Sequence, residues 1–292
     1  MNLICPNKSF FSNWLLNKLN SKFNCNISNL NNDSFNKIAN NYELVVLRAK
    51  SILKYKKNTK IKFIISPTTG LNHIDKKFFK NKKIKIISLE GESNFLNKVN
   101  ATVEFTIYLI LFFLRHKQLN QIKKKRISLL GNEINDRKIG IIGIGRIGKK
   151  IKKILKAFGA KVLTYEIKKD KSNSLNKLLK ESDIISLHIP LKNNFNFLNQ
   201  HKIKLLKQDS VIINTSRGEI IDEISLKKYI RSKNISYFTD VVSNEEIFFK
   251  NQLMKLKSNF FYTHHIGGLT EESVEITDKF IYQKFLKKYE TR

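Results

Sequence analysis

The sequence predicts an α/β protein of two domains, each a small open parallel sheet with helices on both faces. Three observations lead there. The 292 residues leave room for about two domains. Short β-rich runs alternate with amphipathic stretches along most of the chain, and a glycine triplet follows an apolar run near its middle. At 41% hydrophobic and 27% charged residues, the composition is near ordinary globular usage and excludes a wholly disordered chain or a collagen-like fibre.

In the first hundred residues, β runs are read at 2–5, 42–47, 61–65 and 84–89, with a helical stretch at 11–19. Runs this short, separated by helical segments, favour parallel pairing through right-handed crossovers. A long helix follows at 99–122, apolar on most sides, and is read as a connector. Its longest apolar run, 107–114, is too short for a bilayer, which needs about 20 residues. A second series then places strands at 138–142, 161–165, 184–188, 211–214, 237–241 and 260–263. Helices fall between them at 146–158, 174–181, 200–206 and 223–231, and a last helix at 271–288 crosses back to the first domain.

Charge is the unusual quantity: 55 Lys+Arg against 24 Asp+Glu, a formal +31. Only 8 of the cations are Arg, and Lys, Asn and Ile are in excess together, as A/T-rich codons dictate. The basic runs (123–126, 152–153, 168–169, 287–288) are short and scattered without interleaved aromatics, so a solvated surface is read rather than a specific nucleic-acid footprint. Such a surface steers small anionic substrates inward. Cys5 and Cys25 have neither C-x-x-C spacing nor a His cluster, which argues against a metal site or a disulfide framework and fits a reducing cytoplasm. The apolar run at residues 1–6 breaks too early for a signal peptide, and no membrane partner is expected.

The sharpest signal is Ile139-Gly140-Ile141-Ile142-Gly143-Ile144-Gly145-Arg146-Ile147-Gly148, an apolar strand running into G-x-G-x-x-G and an amphipathic helix. Gly143 permits a tight turn, Gly145 lets the backbone approach a pyrophosphate, and Gly148 lets helix pack on strand. Backbone amides of Arg146 and Ile147 then face the phosphates at the positive helix end. The next strand ends in Glu166, about 20 residues on, where a carboxylate accepts the adenosine ribose hydroxyls and repels a 2′-phosphate. These features predict a Rossmann dinucleotide-binding domain using NAD rather than NADP, although Lys168 and Lys169 stand close by.

Downstream, several ordered segments resemble the D-isomer-specific 2-hydroxyacid dehydrogenases, the family that includes D-3-phosphoglycerate dehydrogenase. They are Thr69-Gly70-Leu71-Asn72-His73-Ile74-Asp75, the glycine motif, Ser182 to Leu191, Ile213-Asn214-Thr215-Ser216-Arg217-Gly218 to Asp222, Asp240-Val241, and Thr263-His264-His265-Ile266-Gly267-Gly268. The resemblance implies a smaller flavodoxin-like substrate domain over 1–98, completed by a C-terminal helix in 271–292, and a NAD-binding Rossmann domain over 99–270. It implies hydride transfer between nicotinamide and a D-2-hydroxy or 2-keto acid, 3-phosphoglycerate-like substrates included, by a cytoplasmic homodimer.

Residue by residue, the resemblance puts the catalytic Arg at Arg217, where a guanidinium can hold the substrate carboxylate bidentately and polarise the carbonyl. It puts the acid/base at His265, with His264 in the usual proline position, and its supporting carboxylate at Glu245, with Glu246 as rival. Imidazole can take and return the hydroxyl proton, and a carboxylate behind it fixes the tautomer. By the same resemblance Pro190, Thr215, Ser216, Asp240, Gly267 and Gly268 meet the cofactor, Asp240 at the carboxamide, and Arg48, Thr69 and Gly70 meet the substrate, with Lys50 nearby. His73, His116, His188 and His201 are read as structural or surface residues. Departures from the pattern are Asp136-Arg137 before the glycine-motif strand, Glu166 for Asp, Phe195 and Phe197 in a normally polar stretch, and two missing prolines beside the site. A regulatory protein that senses NAD on the same fold is the alternative, since fold alone does not fix function.

Overall fold

A computed structural model describes residues 1–81, 83–119, 130–167, 172–245, 252–256 and 259–290. The basic run 123–126, residues 120–122, Lys168, Lys169 and Glu246 lie outside them, as does the side chain of His116. The chain divides into two compact units, Met1–Val99 with Leu269–Arg292, and Asn100–Gly268.

The first unit holds β1 (Asn2–Cys5), α1 (Asn13–Asn20), β2 (Asn24–Ile27), α2 (Asn32–Ile38), β3 (Leu44–Val46), β4 (Phe63–Ser66), α3 (Lys76–Lys80), β5 (Lys85–Ser88) and α4 (Ser93–Leu96). The late helix α10 (Glu271–Glu290) belongs to it as well. Its sheet is parallel in the order β2-β1-β3-β4-β5, which is the flavodoxin-like winding. Alternation along the strands decides which residues meet which helices. Leu3, Cys5, Leu44, Val46, Phe63 and Ile65 pack with Leu15, Leu19, Ile281 and Phe285 of α1 and α10. The residues between them, Ile4, Val45 and Ile64, pack with Phe35 and Phe78 of α2 and α3. Strand β2 escapes sequence reading because Asn-Cys-Asn-Ile, an edge strand with no fully buried residue, carries little apolar signal.

The second unit holds α5 (Ala101–Leu119), β6 (Lys138–Ile142), α6 (Arg146–Ala157), β7 (Lys161–Tyr165), α7 (Ser172–Glu181), β8 (Ile184–Leu187), α8 (Gln200–Lys204), β9 (Val211–Asn214), α9 (Glu223–Ser232), β10 (Ser236–Thr239) and β11 (Phe260–Tyr262). Its six parallel strands run β11-β10-β9-β8-β6-β7. Both faces are covered: Ile139, Ile141, Val211 and Ile213 meet α5 and α6 through Leu109, Ile110, Ile151 and Leu155. Ile142, Ile185, Leu187 and Ile212 meet α7, α8 and α9 through Leu178, Leu179, Ile203 and Leu226. The long helix α5 is thus a packed layer of this unit rather than a connector. The winding reverses between β6 and β8, and ligands of open α/β sheets bind at such a switch point, beyond the carboxyl ends of the strands. Among the described residues, no helix is long and apolar enough to cross a membrane.

Candidate active site

The glycine motif stands at the switch point. Gly143 has φ +96°, and a Cβ there would lie 2.5 Å from the His188 carbonyl oxygen at the end of β8. Gly148 is closed just as firmly, since its Cβ would lie 2.0 Å from the Gly143 carbonyl oxygen. Gly145, the N-cap of α6, instead faces space with nothing within 4 Å of a Cβ. A helix leaves its first N–H groups without intrahelical acceptors, so an open N-cap is where an anionic phosphate can approach. Glu166, just past β7, accepts the Ile144 N–H on Oε2 at 2.9 Å, which draws its carboxylate onto the same turn. An open backbone approach, a helix N-terminus and an adjacent acid fit a dinucleotide.

Arg217 is presented by a turn that the end of β9 builds from its own polar groups. Asn214, fully buried, accepts the Ser216 N–H and hydroxyl on Oδ1 at 3.0 and 2.7 Å and donates Nδ2 to the Arg217 carbonyl at 2.9 Å. Thr215 shares a 2.8 Å hydroxyl bond with Thr106 of α5, which ties the turn to the helix layer. The guanidinium donates Nη1 to the Ser216 carbonyl at 2.6 Å. Desolvation pulls its pKa below the usual arginine value, while the charges of Glu245 and Glu219 oppose that pull. An arginine remains cationic through such a shift.

His265 lies on the turn after β11, and its Nδ1 is 3.0 Å from Glu245 Oε2. Its neighbour His264 is exposed and packs its ring 4.6 Å from that of Tyr262, so geometry gives the carboxylate to His265. Both histidines have left-handed backbone, φ +53° and +58°, which a proline at 264 could not adopt. What holds this turn is Asp240, 3% exposed. Its Oδ1 accepts from the Thr263 hydroxyl at 2.7 Å and the Ile266 N–H at 2.8 Å, and its Oδ2 accepts the Gly267 N–H at 2.7 Å. Burial holds the Asp240 pKa above the usual carboxylate value, and these donors oppose that rise without cancelling it. Sequence reading gave Asp240 a cofactor contact; the structure has it fixing the backbone that carries His265. Gly267 is required there, as its Cβ would lie 2.8 Å from Asp240 Oδ2.

The structure therefore gathers Arg217, Glu245 and His265 within the second unit. Of the remaining expected residues, Pro190 and Gly268 are exposed, and Pro190 accepts Asn194 Nδ2 on its carbonyl at 2.8 Å. In the first unit Thr69 is exposed, on a loop where the Thr68 hydroxyl donates to the Gly70 carbonyl at 2.9 Å. Arg48 is a correction. Its guanidinium is buried and reaches Asp278 Oδ1 at 2.7 Å, the Thr277 hydroxyl at 3.1 Å and the Pro67 carbonyl at 3.1 Å. A side chain committed to an internal carboxylate at 0% exposure serves the fold rather than a substrate. His73 and His188 bond Ser66 and Ser186, as structural histidines do. Sequence reading assigned no role to Asn214 or Gly218, although both stand in the segment that carries Arg217; their roles depend on contacts that only folding creates.

Comparison with known proteins shows the family. The sequence model of the D-isomer specific 2-hydroxyacid dehydrogenase NAD binding domain matches residues 109–267. Hydroxypyruvate reductase of Thermotoga maritima is 30% identical over 277 residues, 86% of this chain and 87% of that protein. Erythronate-4-phosphate dehydrogenase of Wigglesworthia glossinidia brevipalpis is 34% identical over 223 residues, 73% of this chain and 53% of that protein, so the match spans about half of its length. Among solved structures, the D-lactate dehydrogenase of Aquifex aeolicus complexed with NAD and lactic acid superposes with a TM-score of 0.79 at 26% identity, covering 98% of this chain and 96% of that one. With a nucleotide-type glycine turn, a poised arginine and a carboxylate-backed histidine on one sheet, and with relatives matching over most of its length, the chain belongs to the D-isomer specific 2-hydroxyacid dehydrogenases.

Proposed function

We propose that this chain performs its family's reaction, the NAD-dependent interconversion of a D-2-hydroxy acid and its 2-keto acid, with Arg217, His265 and Glu245 as the working side chains. The observation that carries the assignment is the 3.0 Å contact between His265 Nδ1 and Glu245 Oε2, with the Arg217 guanidinium within the field of the same carboxylate. Bound NAD supplies the hydride acceptor or, reduced, the hydride donor. Arg217 binds the substrate carboxylate and polarises the carbonyl oxygen beside it. His265, its Nδ1 turned to Glu245, keeps Nε2 for the substrate oxygen, where it takes the hydroxyl proton in oxidation and returns it in reduction. Gly145, the amides of Arg146 and Ile147, and Glu166 hold the dinucleotide. Pro190, Thr215, Ser216, Gly267 and Gly268 complete the cofactor's surroundings. Glu166 disfavours a 2′-phosphate by charge.

The substrate is a small anionic acid. On the family resemblance, Thr69 and Gly70 of the first unit, whose domain spans 1–98 with the C-terminal helix, are assigned to substrate binding, and Lys50 is exposed on the turn that follows β3. The relatives' names nominate hydroxypyruvate and 4-phosphoerythronate for trial. Two further readings are proposed: homodimer formation, supported by the apolar Tyr108 and Leu111, which are 49% and 37% exposed on α5, and a cytoplasmic location, supported by the free thiols Cys5 and Cys25.

The test follows nicotinamide absorbance with a panel of 2-keto acids and D-2-hydroxy acids. His265→Ala should lower kcat by about 10²–10⁴-fold. Arg217→Ala should lower kcat by about 10²–10³-fold. Wild-type turnover in either variant removes that residue from the mechanism, and tight NAD binding with no turnover on any acid favours the sensor.

A further inference from the structure

The proposed triad contains one member whose placement the fold does not obviously guarantee. Glu245 sits on an exposed loop after β10, directly after Asn244, whose φ is +54°. At 246, where the family resemblance gives a proline, the sequence has Glu. Something else must hold Glu245 toward His265.

Two residues from other elements grip the backbone just before it. Gly218, next to Arg217, lies so close to the Val242–Ser243 peptide that a Cβ would fall 2.0 Å from the Val242 carbonyl carbon and 2.2 Å from the Ser243 nitrogen. Glu223, the first residue of α9, accepts the Ser243 N–H on Oε1 at 2.9 Å. Its helix does not need this carboxylate as a cap. Asp222 already fills that role, accepting the Ser225 N–H at 3.0 Å and the Ser225 hydroxyl at 2.6 Å. A first-turn acid on α9 is stabilised by the helix dipole, and its bond to a backbone N–H is charge-assisted.

We propose that Glu223 is a positioning residue for catalysis: by clamping the Ser243 peptide against Gly218, it sets the loop from which Glu245 reaches His265. Glu223 touches no reacting atom and acts through Glu245. Misplacing a supporting carboxylate by about 1 Å lets the imidazole leave its working orientation, and such errors cost up to about 10²-fold in rate. The inference rests on the roles proposed above for Glu245 and His265.

Reach and charge can be separated. Glu223→Asp keeps the negative charge and suits a helix N-terminus, but its carboxylate is one methylene too short for Ser243. Glu223→Gln loses the charge but keeps an acceptor oxygen at the same reach. The clamp predicts that the Asp variant loses about tenfold or more in kcat, with KM for NAD and the thermal midpoint unchanged. The Gln variant should retain most of the wild-type turnover. In a double-mutant cycle, adding Glu223→Asp to Glu245→Ala should cost nothing further, because the clamp works only through the missing carboxylate. Wild-type kcat in Glu223→Asp, loss of turnover in Glu223→Gln equal to that in Glu223→Asp, or additive losses in the cycle each overturn the proposal. Glu245→Ala alone reports on the premise: if it turns over like wild type the catalytic reading fails with the clamp, whereas if it fails and Glu223→Asp does not, only the clamp is wrong.

Discussion

Asn214 and Asp240 direct most of their polarity to the turns that carry Arg217 and His265, Asn214 to its own turn and Asp240 across to the turn after β11. A long cationic side chain on an exposed loop samples many rotamers; here the turn that carries it is closed by three bonds from one buried amide. Asp240 does the same for a turn with two consecutive left-handed histidines, a backbone that costs on the order of 1–3 kcal/mol per residue and persists only when its surroundings over-determine it. His188 illustrates the electrostatic side of this scale. Burial drives its pKa from 6.5 down to about 3, so the folded state binds fewer protons than the unfolded chain. Its contribution to stability is therefore present above about pH 6.5 and lost as the pH falls toward 3. Thermal midpoints measured across that window should fall less steeply in His188→Gln than in the wild type; equal slopes would assign the acid sensitivity to other groups.

Helix α6 and the strand before it meet at a distance that glycine alone permits. Because a Cβ on Gly148 would lie 2.0 Å from the Gly143 carbonyl oxygen, Gly148→Ala must push α6 away from β6. Overpacking of this kind costs about 1–3 kcal/mol. The displaced N-terminus also loses its register with the phosphates, so NAD affinity should fall while Gly145→Ala, which faces open space, leaves the melting temperature nearly unchanged. Calorimetric titration with NAD beside thermal melts of both variants tests this; unchanged stability and affinity in Gly148→Ala would mean the contact is not needed. These elements were legible because strand, turn and helix are contiguous. Strand β2 and helix α2 were not, because few of their residues are buried and the pattern that marks an element is faint at a sheet edge.

At the scale of the molecule, Arg48 is the cation that falls in the buried class among the described residues of this 292-residue, strongly basic chain, and it is structural. Arg48 meets Asp278, 230 residues on, and Asp278 Oδ2 also accepts the Ser12 N–H and hydroxyl, so one carboxylate ties β3, the start of α1 and α10 into the first unit. Removing one partner of such a pair leaves the other charge buried, at a cost of about 3–5 kcal/mol. Arg48→Ala should accordingly lower the denaturation midpoint of the first unit strongly, with Arg48→Lys rescuing little because the multiple donors of the fork are lost. A variant as stable as wild type would show the pair to be dispensable. Self-association belongs to this scale too: Tyr108→Glu on α5 should shift a sedimenting dimer toward monomer, and an unmoved dimer would place the interface elsewhere.

Fold class and glycine turn were written in the sequence by itself, because periodicity and short motifs are local and survive without coordinates, whereas Arg217, Glu245 and His265 were expected only through the family resemblance. The tertiary structure alone decided that His265 rather than His264 faces Glu245, that Arg48 turns inward to Asp278, and that Asn214, Asp240 and Glu223 brace the site. Each of those outcomes depends on which polar group comes within about 3 Å of another from a distant segment, and a hydrogen bond's short reach is invisible until the chain has closed.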